Sequence, residues 1–300
     1  MSTVAELKTE KPAARPPEEA PPRGAARVVR WFLVAVLIAY SILVFVPFLW
    51  SVITSFKTLP DSLTLSFIPN PFSTYGYTTA FTQLDPGVQV LFLNSALIAG
   101  LVTASNLLLG ALGGYAFARL RFPGREVLFI LVLGTMMIPD QLRLVPVYQI
   151  LTFLRLVSPG PENYFGVFII TAIYPTSLFV MRQFFLTIPY DLEEAAMLDG
   201  ASIFGTFWRV MLPISAPALA AVAILSFQGT WNSFFWPLVI LQAKQHYTLP
   251  LGLTQFRFLY STNWPPLMAV TVIATIPIVI IYVFFQRYFV GGGVSAAVKG

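Results

Sequence analysis

Residues 182–213 read RQFFLTIPYDLEEAAMLDGASIFGTFWRVMLP. Pro189 ends one element, because proline cannot continue a helix. Asp191 is placed to cap the next helix, with Glu194 three residues on as its reciprocal partner. Asp191, Glu193 and Glu194 also suit the positive end of a helix dipole. Ala195 and Ala196 are small and allow close approach by a partner. Gly200 ends that helix or turns the chain sharply. Ser202 caps a second short helix over 203–211, and Pro213 and Pro217 mark the entry to a long apolar run. A helix–turn–helix lying on lipid fits this pattern, but such helices are usually rich in Lys and Arg on the inner leaflet. This one is acidic. Acidic caps with small residues suit docking into a basic cleft on another protein.

Apolar chain lies on both sides of this loop. The charge-free runs are 31–50, 88–118, 163–181, 210–243 and 258–286, each of 19 residues or more. A helix needs about 20 apolar residues to cross a bilayer. A sixth crossing is less regular. Residues 127–139 give only 13 uncharged positions before Asp140, and 144–154 is apolar again. At about 1.5 Å per residue, 13 residues fall short of a hydrocarbon core of roughly 30 Å. The reading is a span that begins near Arg125, bends at Pro139 and continues as a short outer helix. The outer loop 57–87 is rich in proline, and 75–84 reads as a short surface helix.

Composition agrees. The 300 residues are 57% hydrophobic and 10% charged, with a mean hydropathy of +0.76, against about a quarter charged in soluble domains. Residues 1–30 are polar and rich in Pro, Ala, Glu, Lys and Arg, which reads as a disordered tail. Residues 31–290 form the six-span body, including the loop 189–213, and 291–300 form a second tail. The run 31–50 follows too long a polar segment, and is itself too long, for a cleaved signal peptide. With the N-terminus in the cytoplasm, 13 of the 18 Lys and Arg fall on inner segments and 5 on outer ones. That bias puts both termini inside. It also accounts for the net charge of +5 without a nucleic-acid partner.

Much chemistry is excluded. There is no cysteine and one histidine, His246, so neither a thiol site nor a histidine-rich metal centre is available. No carboxylate, Lys, Arg or His stands in the middle of a span, whereas ion-driven transporters and intramembrane hydrolases usually need such groups. None of the five lysines closes a phosphate-binding G-x-x-x-x-G-K-[ST] loop. If ATP drives this protein, another chain binds it. The spans do carry Asn94, Ser95, Asn106, Gln228, Asn232 and Ser233. Helix-to-helix hydrogen bonding explains such residues. The sharper reading is a lining for a polar, uncharged solute, with Gln228, Trp231 and Asn232 on one turn as the local candidate, because amides bind hydroxyls and an indole covers apolar C–H faces.

Glu194-Ala195-Ala196, Gly200 and Val210-x-Leu212-Pro213 have the spacing E-A-A, three residues, G, nine residues, I-x-L-P, with Val210 in place of Ile. This resembles the signature loop of permease subunits of binding-protein-dependent ABC importers. Further segments are similar to the carbohydrate-uptake branch, of maltose and glycerol-phosphate type. They are YAFARLRFPGR at 115–125, Met137-Ile138-Pro139, Trp231-Asn232-Ser233-Phe234, Gln286-Arg287-Tyr288-Phe289-Val290 and the final Ala297-Val298-Lys299-Gly300. The likeness runs from about residue 32 to the end. Ser233 and Gly291-Gly292-Gly293 depart from the branch's usual residues.

The resemblance implies an all-α polytopic membrane protein of the type I ABC importer permease fold, with six transmembrane helices and a cytoplasmic coupling helix between spans 4 and 5. It implies no enzyme activity and no metal or cofactor on this chain, with ATP and Mg on a partner ATPase. Asp191, Glu194, Ala195, Ala196, Gly200, Leu212 and Pro213 would couple to that ATPase. Val298, Lys299 and Gly300 would reach its interface. The implied partners are a second homologous permease, two copies of the ATPase subunit and an extracytoplasmic solute-binding protein, in a prokaryotic cytoplasmic membrane. An ABC permease for another polar solute keeps the loop but not the tail. A secondary transporter would need ion sites built from carbonyls and hydroxyls.

Overall fold

A computed structural model describes residues 23–256 and 262–288. Contacts divide the chain into a unit ending at Leu49 and a unit beginning at Trp50. Helix α1, Arg23–Ser55, starts in the first unit and ends in the second. In the first unit its apolar side chains, among them Leu33, Leu37, Leu43 and Phe45, are exposed, as the faces of a lipid-embedded helix are.

The second unit continues with α2 (Leu59–Ser62), α3 (Tyr75–Thr82), α4 (Val88–Arg119), α5 (Arg125–Thr135), α6 (Asp140–Phe153), α7 (Glu162–Thr171) and α8 (Pro175–Thr187). Then come α9 (Asp191–Leu198), α10 (Ile203–Thr206), a π-helical turn Phe207–Met211, α11 (Leu212–Ile214), α12 (Ala216–Trp231) and α13 (Phe235–Ile240). After α14 (Leu249–Gly252) the last helix is α15, Trp264–Phe285. No β-sheet occurs among the described residues.

Three helices are long and apolar enough to cross a membrane alone: α1 from Arg27, α4 and α15. The other three crossings are broken. α5 and α6 meet at 102°, α7 and α8 at 43°, and 203–214 meets α12 at 77°. Six crossings result if each bent pair counts as one. The bend at Pro139 agrees with the sequence. The break between α7 and α8 is new, since 163–181 reads as one uninterrupted span.

The physical reason for that break lies on α4. Pro175 at the start of α8 has no N–H and cannot continue the preceding helix. The groups freed at the break would be costly in a membrane interior unless answered. The Asn106 side chain answers them. Its Nδ2 donates to Thr171 O at 3.0 Å, and its Oδ1 accepts from Tyr174 N at 2.6 Å and Ser177 Oγ at 2.9 Å. Ser105 Oγ donates to Ala172 O at 2.6 Å. Asn94 and Ser95 treat the segment between α13 and α14 likewise: Asn94 Nδ2 donates to Gln245 O and Tyr247 O, and Ser95 Oγ accepts from Leu249 N. The structural reading of these three polar residues therefore holds.

α4 is the central element, packed against α8 and α12. Close approach to α8 depends on Gly114, where an added Cβ would stand 2.5 Å from Met181 Cβ. Small residues serve this purpose between membrane helices. One core cluster, with Ala111, Tyr115, Met181, Phe185, Phe207 and Met211, fills the end of α4 nearest the loop 189–213. Another, with Leu91, Phe227, Trp231 and Val270, joins α4, α12 and α15 at the other end. The helix expected at the surface over 75–84 is instead docked: Gly76, Thr79 and Ala80 of α3 are buried, and a Cβ at Gly76 would meet backbone of Ser55 and Pro265. The loop before α3 is held by Lys57, whose buried ammonium donates to Ser66 O at 2.7 Å and lies 4.9 Å from the Trp50 ring centroid.

Candidate functional site

The loop between α8 and α12 is built on the end of α4. Arg119 is the last residue of α4, where a cation complements the negative end of the helix dipole. Its side chain is only 2% exposed. Arg119 Nε lies 2.6 Å from Glu193 Oε1. Its Nη2 donates to the Ile188 carbonyl, and its guanidinium stacks on the Tyr190 ring, 4.1 Å from the centroid. One helical turn earlier, Tyr115 OH donates to Glu193 Oε2 at 3.1 Å. Tyr115 also packs edge-on against Phe185, and against Phe207 at 5.1 Å between centroids. A spanning helix thus grips both the entry to α9 and its first turn.

α9 is closed at its other end by its own backbone. Ala201 N–H donates to Ala196 O, and Gly200 N–H to Met197 O, both at 3.0 Å. This paired closure is the Schellman motif, which requires a left-handed residue just past the helix. Gly200 supplies it at φ +86°. The spacing of Ala196 and Gly200 in the sequence motif is therefore the spacing of a helix stop. Ser202 Oγ then accepts from Gly205 N at 3.1 Å, the predicted cap of the second helix. That helix runs through α10, the π turn and α11 to Ile214. Pro213 sits in its last turn, before the bend into α12.

The predicted cap at Asp191 is corrected. α9 begins at Asp191, the preceding residue is Tyr190, and no side chain caps it. Tyr190 O accepts from Glu193 N and Glu194 N instead. Pinning Glu193 to Arg119 and Tyr115 fixes the first turn without a capping box. Asp191, Glu194 and Ala195 are exposed, Ala196 and Leu212 half-buried, and Pro213 exposed. Around them stand exposed apolar side chains: Leu192, Met197, Leu198 (88%), Ile203, Phe204 (65%) and Trp208. The loop is an apolar patch edged by the carboxylates of Asp191, Glu194 and Asp199.

The second candidate group is not brought together. Trp231 is 2% exposed, stacked on Phe227 with Phe92 edge-on, and its Nε1 donates to Ala274 O at 3.0 Å. It is a core residue tying α12 to α15, and its placement on a solute path is corrected. Gln228 and Asn232, on the same turn, are exposed. Val298, Lys299 and Gly300 lie outside the described residues. Sequence reasoning missed Tyr115, Arg119 and Glu193 as a unit. The i, i+4 spacing of Tyr115 and Arg119 was visible, but nothing local pointed to a partner more than seventy residues away. Among the described residues no cluster of three or more His, Asp or Glu is placed to hold a metal ion.

Residues 106–292 match the family described as binding-protein-dependent transport system inner membrane component. This chain belongs to that family. The inner membrane component is 34% identical over 282 residues to the arabinooligosaccharides transport system permease protein AraQ of Halalkalibacterium halodurans, covering 93% of this chain and 99% of that one. It is 33% identical over 272 residues to the trehalose/maltose transport system permease protein MalG of Thermococcus litoralis, covering 90% and 97%. A crystal structure of a bacterial ABC transporter involved in the import of the acidic polysaccharide alginate contains a chain of the same fold, with a TM-score of 0.77 at 23% identity, covering 88% and 98%. The type I permease fold follows, and the chain is an integral inner membrane protein. This inner membrane component is a transport subunit of an ABC importer, not an enzyme, and the family binds no cofactor itself.

Proposed function

We propose that this inner membrane component carries a carbohydrate-like solute across the membrane, and that ATP with Mg on a separate ATPase subunit drives it through the loop 189–213. The solute class is supported by relatives whose names specify arabinooligosaccharide and trehalose/maltose transport. One observation carries the coupling role: α9 presents an exposed apolar and acidic face while a buried ion pair ties its first turn to a spanning helix. A face so exposed needs a partner, and a rigid tie transmits displacement. Asp191 and Glu194 meet basic groups of the ATPase cleft, and Ala195 and Ala196 let its wall approach. Gly200 holds the helix end, and Leu212 and Pro213 pass the motion to α12. Gln228 and Asn232 line the solute path, and Val298, Lys299 and Gly300 reach the ATPase interface.

The assembly has a second homologous permease, two ATPase copies and an extracytoplasmic solute-binding protein. Both termini are cytoplasmic, with 1–30 and 291–300 as tails and 31–290 as the spanning body. The test is ATPase activity of the assembly in lipid, with binding protein loaded with candidate sugars. Stimulation by one loaded binding protein that is lost in Glu194→Lys supports the reading. Solute movement by this chain alone in liposomes, with no ATPase co-purifying, overturns it.

A further inference from the structure

A second feature at the coupling-loop end of the spans has a different chemistry. The turn between α4 and α5 encloses an open cavity of about 890 Å³ whose wall includes Arg119, Arg121, Arg125, Glu126, Val127 and Tyr190. The charges do not balance. Arg119 is answered by Glu193. Arg125 and Arg182 share Glu126, at 2.9 and 3.0 Å. Arg121 is exposed and has no ion-pair partner among the described residues. The wall itself thus holds three guanidiniums and one carboxylate. Moreover, Arg119 Nη1 is buried with no hydrogen-bond acceptor.

The cavity also contains the start of α5. Its N-cap is Gly124, which has no side chain to accept from the first-turn amides. Those amides and the helix dipole favour an anion. The carboxylate on this turn, Glu126, is held by two arginines. Immediately beyond, α5 exposes Val127 (63%), Leu128, Ile130 (65%) and Leu131. The site is therefore amphiphilic, a basic pocket opening onto an apolar helix face at one end of a membrane crossing. A free anion would use only the first half of it.

We propose that this cavity binds the phosphodiester headgroup of an anionic glycerophospholipid from the leaflet on the coupling-loop side. Arg121 and the α5 N-terminus contact the phosphate, and an acyl chain lies along Val127 to Leu131. Because Arg119 and Tyr190 form part of the wall, the lipid rests against the same hub that grips α9. Lipid composition would then act on the coupling loop directly.

The test uses the full chain in nanodiscs of equal phosphatidylglycerol and phosphatidylcholine, with retained lipids counted by native mass spectrometry. The expected result is selective retention of phosphatidylglycerol, reduced about fivefold or more in Arg121→Glu, while Arg155→Glu, the same charge change in the loop between α6 and α7, leaves it unchanged. Equal retention of the two lipids, or the same loss in both variants, overturns the proposal. Displacement of phosphatidylglycerol by millimolar inorganic phosphate assigns the site to free anions and also overturns it. If Arg121→Glu abolishes ATPase co-purification without changing lipid selectivity, the cavity is a protein interface and the lipid assignment is wrong.

Discussion

Glu193 Oε1 lies 2.6 Å from Arg119 Nε, joining the first turn of α9 to the last residue of α4 with both side chains almost wholly buried. A pair of this kind is weak evidence for stability, because desolvation offsets much of the attraction. Its value lies in geometry. Arg119 also reaches the Ile188 carbonyl and the Tyr190 ring, so one guanidinium sets where the chain leaves α8 and how α9 is aimed. Glu194, the next residue, is exposed.

Removing one member of that pair strands the other charge. Arg119→Met or Glu193→Leu alone is expected to cost about 3–5 kcal/mol. The double variant should be markedly less destabilised than the sum of the two. Thermal unfolding in detergent checks this as a double-mutant cycle. An additive result would show that the two side chains do not interact.

At Gly200 the backbone alone sets the requirement. A Cβ there would meet nothing within 4 Å, but φ is +86°. Gly200→Val is expected to cost about 1–2 kcal/mol through left-handed strain, while Gly200→Asn costs less. Protease sensitivity of the loop 189–213 should rise, and ATPase co-purification should drop, more in Gly200→Val than in Gly200→Asn.

Asn106 answers the broken crossing between α7 and α8. Asn106→Leu leaves the Thr171 carbonyl and the Tyr174 amide unanswered, at about 1–3 kcal/mol for each unsatisfied group. A lowered thermal midpoint with faster amide exchange at Tyr174 is the expected result. An unchanged midpoint would show that something else satisfies the break.

Trp231 and its neighbours on α12 should separate cleanly. Trp231→Ala is expected to cost about 3–5 kcal/mol as a large buried side chain is lost. Gln228→Ala and Asn232→Ala should stay within about 0.5 kcal/mol of the parent in stability, yet lower solute-stimulated ATPase activity. If both alanine variants transport normally, these two residues do not line the solute path.

The loop between α1 and α3 carries a pH dependence. The backbone amide of Asn70 donates to Asp61 Oδ2 at 3.1 Å, and this bond, with Lys57, Thr64 and Ser66 in support, holds the Asp61 carboxyl below its ordinary range. The depressed value in the folded loop means that its contribution is complete above the unfolded value, about 3.9, and is lost as pH falls through the lower folded value. The protection factor of the Asn70 amide should therefore hold from neutral pH to about pH 5 and show an extra change, a loss, toward pH 3. Asp61→Asn should remove that extra change.

The sequence alone determined the membrane class, six crossings if each bent pair is one, the bend at Pro139, the stop at Gly200 and the cap at Ser202. Each depends on local properties: the length of an apolar run, the missing N–H of proline, the φ range open to glycine, a hydroxyl three residues before an amide. The motif spacing of the loop was equally local, and it carried the family. Only the tertiary structure decided that Glu193 turns inward to Arg119 while Glu194 turns outward, that 163–181 is broken and repaired by Asn106, and that Trp231 faces the core. Those outcomes depend on which helix stands opposite, 43 to 78 residues away along the chain. On an apolar helix, hydropathy differs little from face to face: for α4 and α12 the pattern has almost no amphipathic direction. Where lipid and protein interior are equally apolar, periodicity cannot say which side is in, and close packing with hydrogen-bond satisfaction makes the choice.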